Sequence, residues 1–340
     1  MTTQLVAGID IGGTNILVGL VDQDGNIRAK RSIPTGNLIK PETLVANVCT
    51  EIHKAVDSLD GSYELAGIGI GAPSGNFYTG TIGFAANLKW EGGVPLAALF
   101  QQELGLDVIL TNDAKAATIG ELLFGGAKGM KNFLFITLGT GLGSGIVING
   151  ELVHGHDGFA GEIGHVIVSP NGRPCGCGRK GCLETYCSAT GIMRTYTDLR
   201  ISKHKKTEIS TKISGANYIY ERALQGDSSA IEAFKYTGDL LGLALANCVA
   251  CFSPQSIFLF GGLAQAGDLI FKPTIKSFEK NLLRVYKNSN IQILPSRLQE
   301  SDSAILGAAS LIWKKILEMS KVSKTIEVTS TSEDAWSTRT

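Results

Sequence analysis

Residues 5–21 read Leu5-Val6-Ala7-Gly8-Ile9-Asp10-Ile11-Gly12-Gly13-Thr14-Asn15-Ile16-Leu17-Val18-Gly19-Leu20-Val21: an apolar run, a glycine-rich corner carrying Asp10 and Thr14, and a second apolar run. Two short apolar runs split by a turn predict a pair of antiparallel strands. An Asp24-Gly25 pair opens a further extended segment through Ile33, so the chain begins as a strand meander and not as a strand followed by a helix. The same pattern returns at Phe133 to Leu138, Gly139-Thr140-Gly141-Leu142-Gly143 and Ser144 to Ile148, closed by Asn149-Gly150. Setting Thr14 on Thr140 aligns the two copies, a weak internal repeat that predicts two similarly built domains facing each other.

Outward from these corners, helices and strands alternate. Helical apolar spacing runs from Pro41 to Leu59, a strand is predicted at Leu65 to Ile70, a Gly71-Ala72-Pro73 turn follows, and the stretch to Trp90 is irregular. A helix over Val94 to Leu104, a strand at Val108 to Leu110, and a helix from Asn112-Asp113 to about Phe124 come next. A Gly-, His- and Cys-rich loop spans His154 to Cys187, then several helices lead to a strand at Ser256 to Phe260 ending in Gly261-Gly262. A last helix covers about 303–319, and the polar tail after Lys321 is expected to fray. Alternation of this kind predicts a layered α/β fold.

Composition narrows the partners. The 340 residues are 44% hydrophobic and 18% charged, which excludes a disordered chain, a coiled coil or a disulfide miniprotein. Lys plus Arg and Asp plus Glu are both 31, so no net charge draws the chain to nucleic acid or to anionic lipid. The densest basic run, Lys203-His204-Lys205-Lys206, reads as a solvated loop. No basic residue precedes Arg28, and the longest apolar stretch, Leu240 to Phe252, is interrupted by Asn247. A cytoplasmic chain with neither secretory signal nor membrane span is therefore expected.

Three constellations carry chemistry. Asp10, Gly12, Gly13, Thr14 and Asn15 can offer backbone N–H groups to phosphate oxygens, with Asp10 placed to hold a hydrated Mg²⁺, although a plain hairpin also needs such glycines. No G-x-x-x-x-G-K-[ST] sequence occurs, and no G-x-G-x-x-G leads from a strand into a helix. Gly139, Thr140 and Gly141 repeat the motif, and two such turns in facing domains would clamp a polyphosphate. Cys175, Cys177 and Cys182, with His165, form a Cys₃His set for a structural zinc; His165 is the nearer candidate for the fourth ligand than His154 or His156. Cys248 and Cys251 lie in an apolar run and read as core. Asn112 and Asp113 sit where a strand ends and a helix begins, a place for ligands but equally for an Asp113 N-cap. Glu162 and Glu184 flank the cysteine loop, as solvated charges or as groups for sugar hydroxyls.

Taken together, Asp10-Ile-Gly-Gly-Thr-Asn15, Asn87-Leu-Lys-Trp90, Thr111-Asn-Asp113, Leu138-Gly-Thr-Gly-Leu-Gly143, Gly161-Glu-Ile-Gly-His165 and Cys175-Gly-Cys-Gly-Arg-Lys-Gly-Cys-Leu-Glu184 resemble the ROK family of sugar kinases over nearly the whole chain, and within it the bacterial glucokinases. The resemblance implies the actin-like ATPase fold: two ribonuclease-H-like α/β domains with a cleft between them, often as a homodimer. On that pattern residues 1–112 with about 303–319 make a smaller domain, 113–302 a larger one bearing the zinc loop 154–187, and 320–340 a tail. It implies ATP-dependent phosphorylation of glucose at O6, with Asp113 as general base and Asn87, Asn112, Glu162, His165 and Glu184 on the sugar hydroxyls. Mg-ATP would be held by the two glycine turns and by Gly261-Gly262 near adenine. His165 would give one ring nitrogen to zinc, which shapes the sugar pocket and stays out of the transfer.

Other members of the family phosphorylate fructose, N-acetylmannosamine or N-acetylglucosamine, and others are transcriptional repressors with a DNA-binding domain ahead of the first turn. Asp10 lies too near the start for such a domain to be expected here. A sugar-responsive binding protein and a zinc-thiolate redox switch are the competing expectations. One departure stands out: Gly71-Ala72-Pro73-Ser74-Gly75 replaces the family's Gly-x-Pro-Gly turn.

Overall fold

The computed structural model describes residues 2–36, 40–83, 90, 92–203 and 215–337, apart from the side chains of 203 and 322–337. Asn87 and residues 204–206 of the basic run lie outside the described residues. The chain forms two compact units, residues 1–124 with 301–340, and residues 125–300.

In the first unit, β1 (Thr3–Ile11), β2 (Asn15–Val21) and β3 (Ile27–Pro34) form the expected antiparallel meander. After α1 (Pro41–Asp57), β4 (Tyr63–Gly71) pairs parallel to β1. A small hairpin, β5 (Gly75–Asn76) and β6 (Thr81–Ile82), and α2 (Leu96–Leu104) lead to β7 (Val108–Thr111), parallel to β4, and then to α3 (Asp113–Leu123). The sheet order is β3-β2-β1-β4-β7.

β1 is buried along almost its whole length because both faces of the sheet are covered. Leu5, Ala7, Ile9 and Ile11 face the α1 side with Leu44, Val48 and Ile52. Val6 packs on the other face with Ile305, Ala309, Ile312 and Trp313 of the last helix, α8 (Ser303–Ser337). α8 can lie so close because its seat is glycine: a Cβ on Gly69 would fall on the Ala308 carbonyl, and one on Gly8 would come within 3.0 Å of Ala309 N. Gly307 of α8 in turn admits α3, since a Cβ there would lie 2.8 Å from Ala117 Cα. This packing puts α3 in the first unit, so the division falls after Phe124 and not at the expected 112/113. The same packing places α8 in the first unit. α8 does not stop near Met319, however: its backbone stays helical through Ser337, with no proline to break it and each added residue closing one more hydrogen bond.

The second unit repeats the topology. β8 (Phe133–Leu138), β9 (Leu142–Ile148) and β10 (Glu151–Leu152) are antiparallel, and β11 (Ser256–Phe260) and β12 (Gln292–Pro295) add parallel to β8, giving the order β10-β9-β8-β11-β12. Its helices are α4 (Ala189–Lys203), α5 (Ala216–Leu224), α6 (Ser228–Phe252) and α7 (Asp268–Asn281). Leu134, Ile136, Leu138, Ile257 and Leu259 face them across one core that includes Cys187 and Cys248. Cys248 is therefore core as expected, while Cys251 is exposed.

Candidate active site

In the first unit the chemistry collects where the parallel strands end. Register aligns Asp10 of β1 with Gly71 of β4, and Gly71 with Thr111 of β7. Asn112 and Asp113 follow at the start of α3. Gly71 separates the two carboxylates: a Cβ on it would lie 3.6 Å from Asp113 Cα and 3.9 Å from Asp10 Oδ1. The helix cap is Asn112 and not Asp113, for Asn112 Oδ1 accepts from Ala114 N at 3.0 Å and Lys115 N at 3.3 Å. An Asn at this position satisfies the free N–H groups, which releases the next carboxylate from that duty. Asp113 Oδ1 still accepts from Ala114 N at 2.8 Å.

Both carboxyl groups are held above the ordinary range. Burial raises Asp113, only partly offset by hydrogen bonds from Ala114, its own backbone and Asn112. Burial first, and then repulsion from Asp113, raise Asp10 from 3.8 to about 7. A buried acid at the edge of a sheet, with a second acid beside it, suits either a proton acceptor or a site for a cation.

The first glycine turn is held by Thr35, whose Oγ1 donates to Gly12 O at 2.8 Å and whose N donates to Thr14 O at 2.8 Å. Gly13, Thr14 and Asn15 are exposed. Neither turn relies on a left-handed glycine: Gly12, Gly13, Gly139 and Gly141 are not among the residues with positive φ. Gly139 has open space beside its backbone, whereas a Cβ on Gly12 would come within 2.8 Å of Asn15 O. In the loop that departs from the family turn, Ser74 takes φ +57°, the left-handed conformation that the family's glycine would adopt without strain.

In the second unit, Gly139 and Thr140 line a cavity of about 560 Å³ together with Asn217, Tyr220, Gly262 and Glu300. Gly261 sits behind Gly262 with φ +96°, and a Cβ there would lie 2.9 Å from Leu138 O. The sequence singled out both glycine pairs but not Asn217 and Tyr220 of α5 or the distant Glu300, which carry no local pattern.

The cysteine loop gathers the expected four ligands. The donor atoms of His165, Cys175, Cys177 and Cys182 all lie within 4.8 Å of one another. Cys177 Sγ to Cys182 Sγ and Cys175 Sγ to His165 Nδ1 are each 3.6 Å. Tetrahedral zinc with bonds of about 2.3 Å to sulfur needs edges of about 3.8 Å, so the set fits that ion and leaves no open position. Nδ1 is the nitrogen that faces the thiols; Nε2 lies 3.9 Å from Glu162 Oε2. Hydrogen bonds from the backbone and side chain of Arg179 lower Cys177 to about 6, while burial lifts Cys175 to about 12. A dication at the centre would hold all three as thiolates. Glu184, two residues past Cys182, accepts from Leu142 N at 3.0 Å and so ties this loop to the second glycine turn, a long-range bond that no spacing announces.

Each unit's five-stranded sheet, with its antiparallel meander and two parallel additions, is the ribonuclease-H-like half of an actin-like ATPase. The sequence pattern of the ROK family matches residues 6–315, and the chain belongs to that family. It is 35% identical to the glucokinase of Halalkalibacterium halodurans over 334 residues, covering 96% of this chain and 100% of that one. The structure of a ROK family glucokinase from Streptomyces griseus, in complex with glucose and AMPPNP, matches with a TM-score of 0.74 and 33% identity, over 90% of this chain and 98% of that one. A ROK family transcriptional regulator, a homologue of the Escherichia coli MLC protein, matches with a TM-score of 0.81 and 25% identity, over 92% of this chain and 78% of the regulator. Among the described residues no helix is long and apolar enough to cross a membrane.

Proposed function

We propose that this chain transfers the γ-phosphoryl group of ATP to the 6-hydroxyl of glucose, with Asp113 as the general base. The observation that carries the reading is the Asp113 carboxylate: buried at the start of α3 behind the Asn112 cap, and held by burial above the usual range of an aspartate. One Asp113 oxygen accepts the O6 proton as the O6–P bond forms and the bond from the γ-phosphorus to its bridging oxygen breaks, leaving ADP and glucose 6-phosphate. A base with a raised pKa shares the proton more evenly with the attacking hydroxyl at neutral pH.

Asp10 would hold Mg²⁺ through water, and the ion supplies charge neutralisation on the phosphates. Gly12, Gly13, Thr14 and Asn15, with Gly139, Thr140 and Gly141, would cradle the phosphates; the cavity beside Gly139 and Gly262 would take the nucleoside. Zinc on His165, Cys175, Cys177 and Cys182 would fix the loop, so that Glu162, His165 and Glu184 meet the sugar together with Asn87 and Asn112. The chain would work in the cytoplasm, as a homodimer, which light scattering can test.

The test is a coupled assay of ADP release with glucose, mannose, fructose, N-acetylmannosamine and N-acetylglucosamine, with the product identified by NMR. Glucose should give the highest kcat/KM, and its product should be the 6-phosphate. Preference for an N-acetylated sugar or for fructose would move the assignment to those kinases. The likeness to a transcriptional regulator supports a second reading, a sugar-responsive binding protein. That reading requires sugar binding with no ADP release from any of the five.

A further inference from the structure

The start of α4 grips the second glycine turn by its carbonyls. Ala189 N donates to Gly139 O at 2.8 Å, and Thr190 Oγ1 donates to Thr140 O at 2.9 Å. In a trans peptide the C=O and the N–H point in opposite directions. Fastening the carbonyls of Gly139 and Thr140 to α4 therefore turns the N–H groups of Thr140 and Gly141 away from it. Among the described residues neither N–H donates a hydrogen bond, although their neighbours do: Gly139 N to Gly141 O at 3.1 Å, Leu142 N to Glu184, and Gly143 N to Thr137 Oγ1 at 3.0 Å. Two successive free N–H groups beside a cavity make an anion-binding nest.

The grip continues toward the cysteine loop. Ser188, fully buried, donates from Oγ to Glu184 O at 2.8 Å, accepts from Gly191 N at 3.0 Å, and lies 3.0 Å from Thr190 Oγ1. Glu184 presses on the same turn from its other end, since a Cβ on Gly141 would meet its carboxylate. The turn is thus held between Thr190 and Glu184, the latter fastened at its backbone carbonyl by Ser188.

We infer that Thr190 is a positioning residue for the phosphate donor: its hydroxyl, through the Thr140 carbonyl, aims the Thr140 and Gly141 N–H groups at the donor's phosphate oxygens. This rests on the kinase reading and adds to it a residue that touches neither substrate. Thr190 is exposed, so Thr190→Val keeps the shape and removes the hydroxyl at little cost to folding. In the zinc-loaded full-length protein, T190V should raise KM for ATP roughly three- to tenfold, the loss expected for one net hydrogen bond. KM for sugar and kcat at saturating ATP should stay within about twofold, and Thr190→Ser should restore KM for ATP. AMPPNP affinity by calorimetry provides the readout without turnover. Wild-type affinity in T190V, or failure of T190S to restore it, overturns the inference while wild-type turnover still supports the kinase. A wild-type protein that binds no AMPPNP overturns the kinase reading and the inference with it.

Discussion

Asp10→Asn should make the nucleotide-free protein more stable at pH 8. The Asp10 carboxyl is buried beside Asp113, and its pKa rises from 3.8 to about 7. An unfolded chain gives up this proton near 3.8, whereas the folded one keeps it until about 7, so the group costs the fold nothing below pH 4 and most above pH 7. At about 1.36 kcal/mol per unit over roughly three units, the ceiling is about 4 kcal/mol. Asparagine keeps the shape and has no proton to lose. The stability difference between variant and wild type should therefore be near zero at pH 3, about 1 kcal/mol at pH 4.5, and close to that ceiling by pH 8. Urea unfolding read by Trp313, buried in the first unit with Nε1 donating to Val21 O at 3.2 Å, measures it there. Mg-ATP should narrow the gap, since a bound cation relieves the wild-type carboxylate. A difference that does not change with pH, or a variant less stable at pH 8, refutes the account of two acids crowded around Gly71.

Three other outcomes follow from the packing and the loop. Gly69→Ala would drive a methyl group into the Ala308 carbonyl of α8 and should cost at least about 1–3 kcal/mol in thermal melts, while a Tm close to wild type would mean that α8 is not seated on glycine. Ser74→Gly removes a side chain from φ +57° and should stabilise the protein by about 1 kcal/mol, judged by the same melts; destabilisation would argue against strain there. Elemental analysis should find one zinc per chain, retained under peroxide, and Cys177→Ser should lose most of it and raise KM for sugar; loss of zinc to peroxide with a change in activity would favour the redox switch.

Much of this architecture could be read before any coordinates. Phe133 to Leu138 and Ser256 to Phe260 are largely apolar runs that each end at a glycine, and both are strands with those limits. The meander of the first unit and the hairpin of the second followed from their turns, and the gathering of His165, Cys175, Cys177 and Cys182 followed from spacing, since thiols set so close among glycines have little apolar surface to pack against. What escaped was either short or distant. β10 has two residues and β12 four, too few to establish a period, and β12 ends in a proline. Asn112 and Asp113 are both good caps, and only the geometry assigns the duty to Asn112. The placement of α3 in the first unit depends on Gly307, far along the chain, and the tie from Glu184 to Leu142 joins residues with no shared pattern.

The most direct test of the central claim is kcat for Asp113→Asn, measured beside the glucose affinity of the same variant. With Asp113 as the base, kcat falls by about 10²–10⁴-fold, the usual contribution of a general base, while glucose affinity and melting temperature stay close to wild type. Turnover in the variant within tenfold of wild type would contradict the claim and leave the buried carboxylate without the part assigned to it.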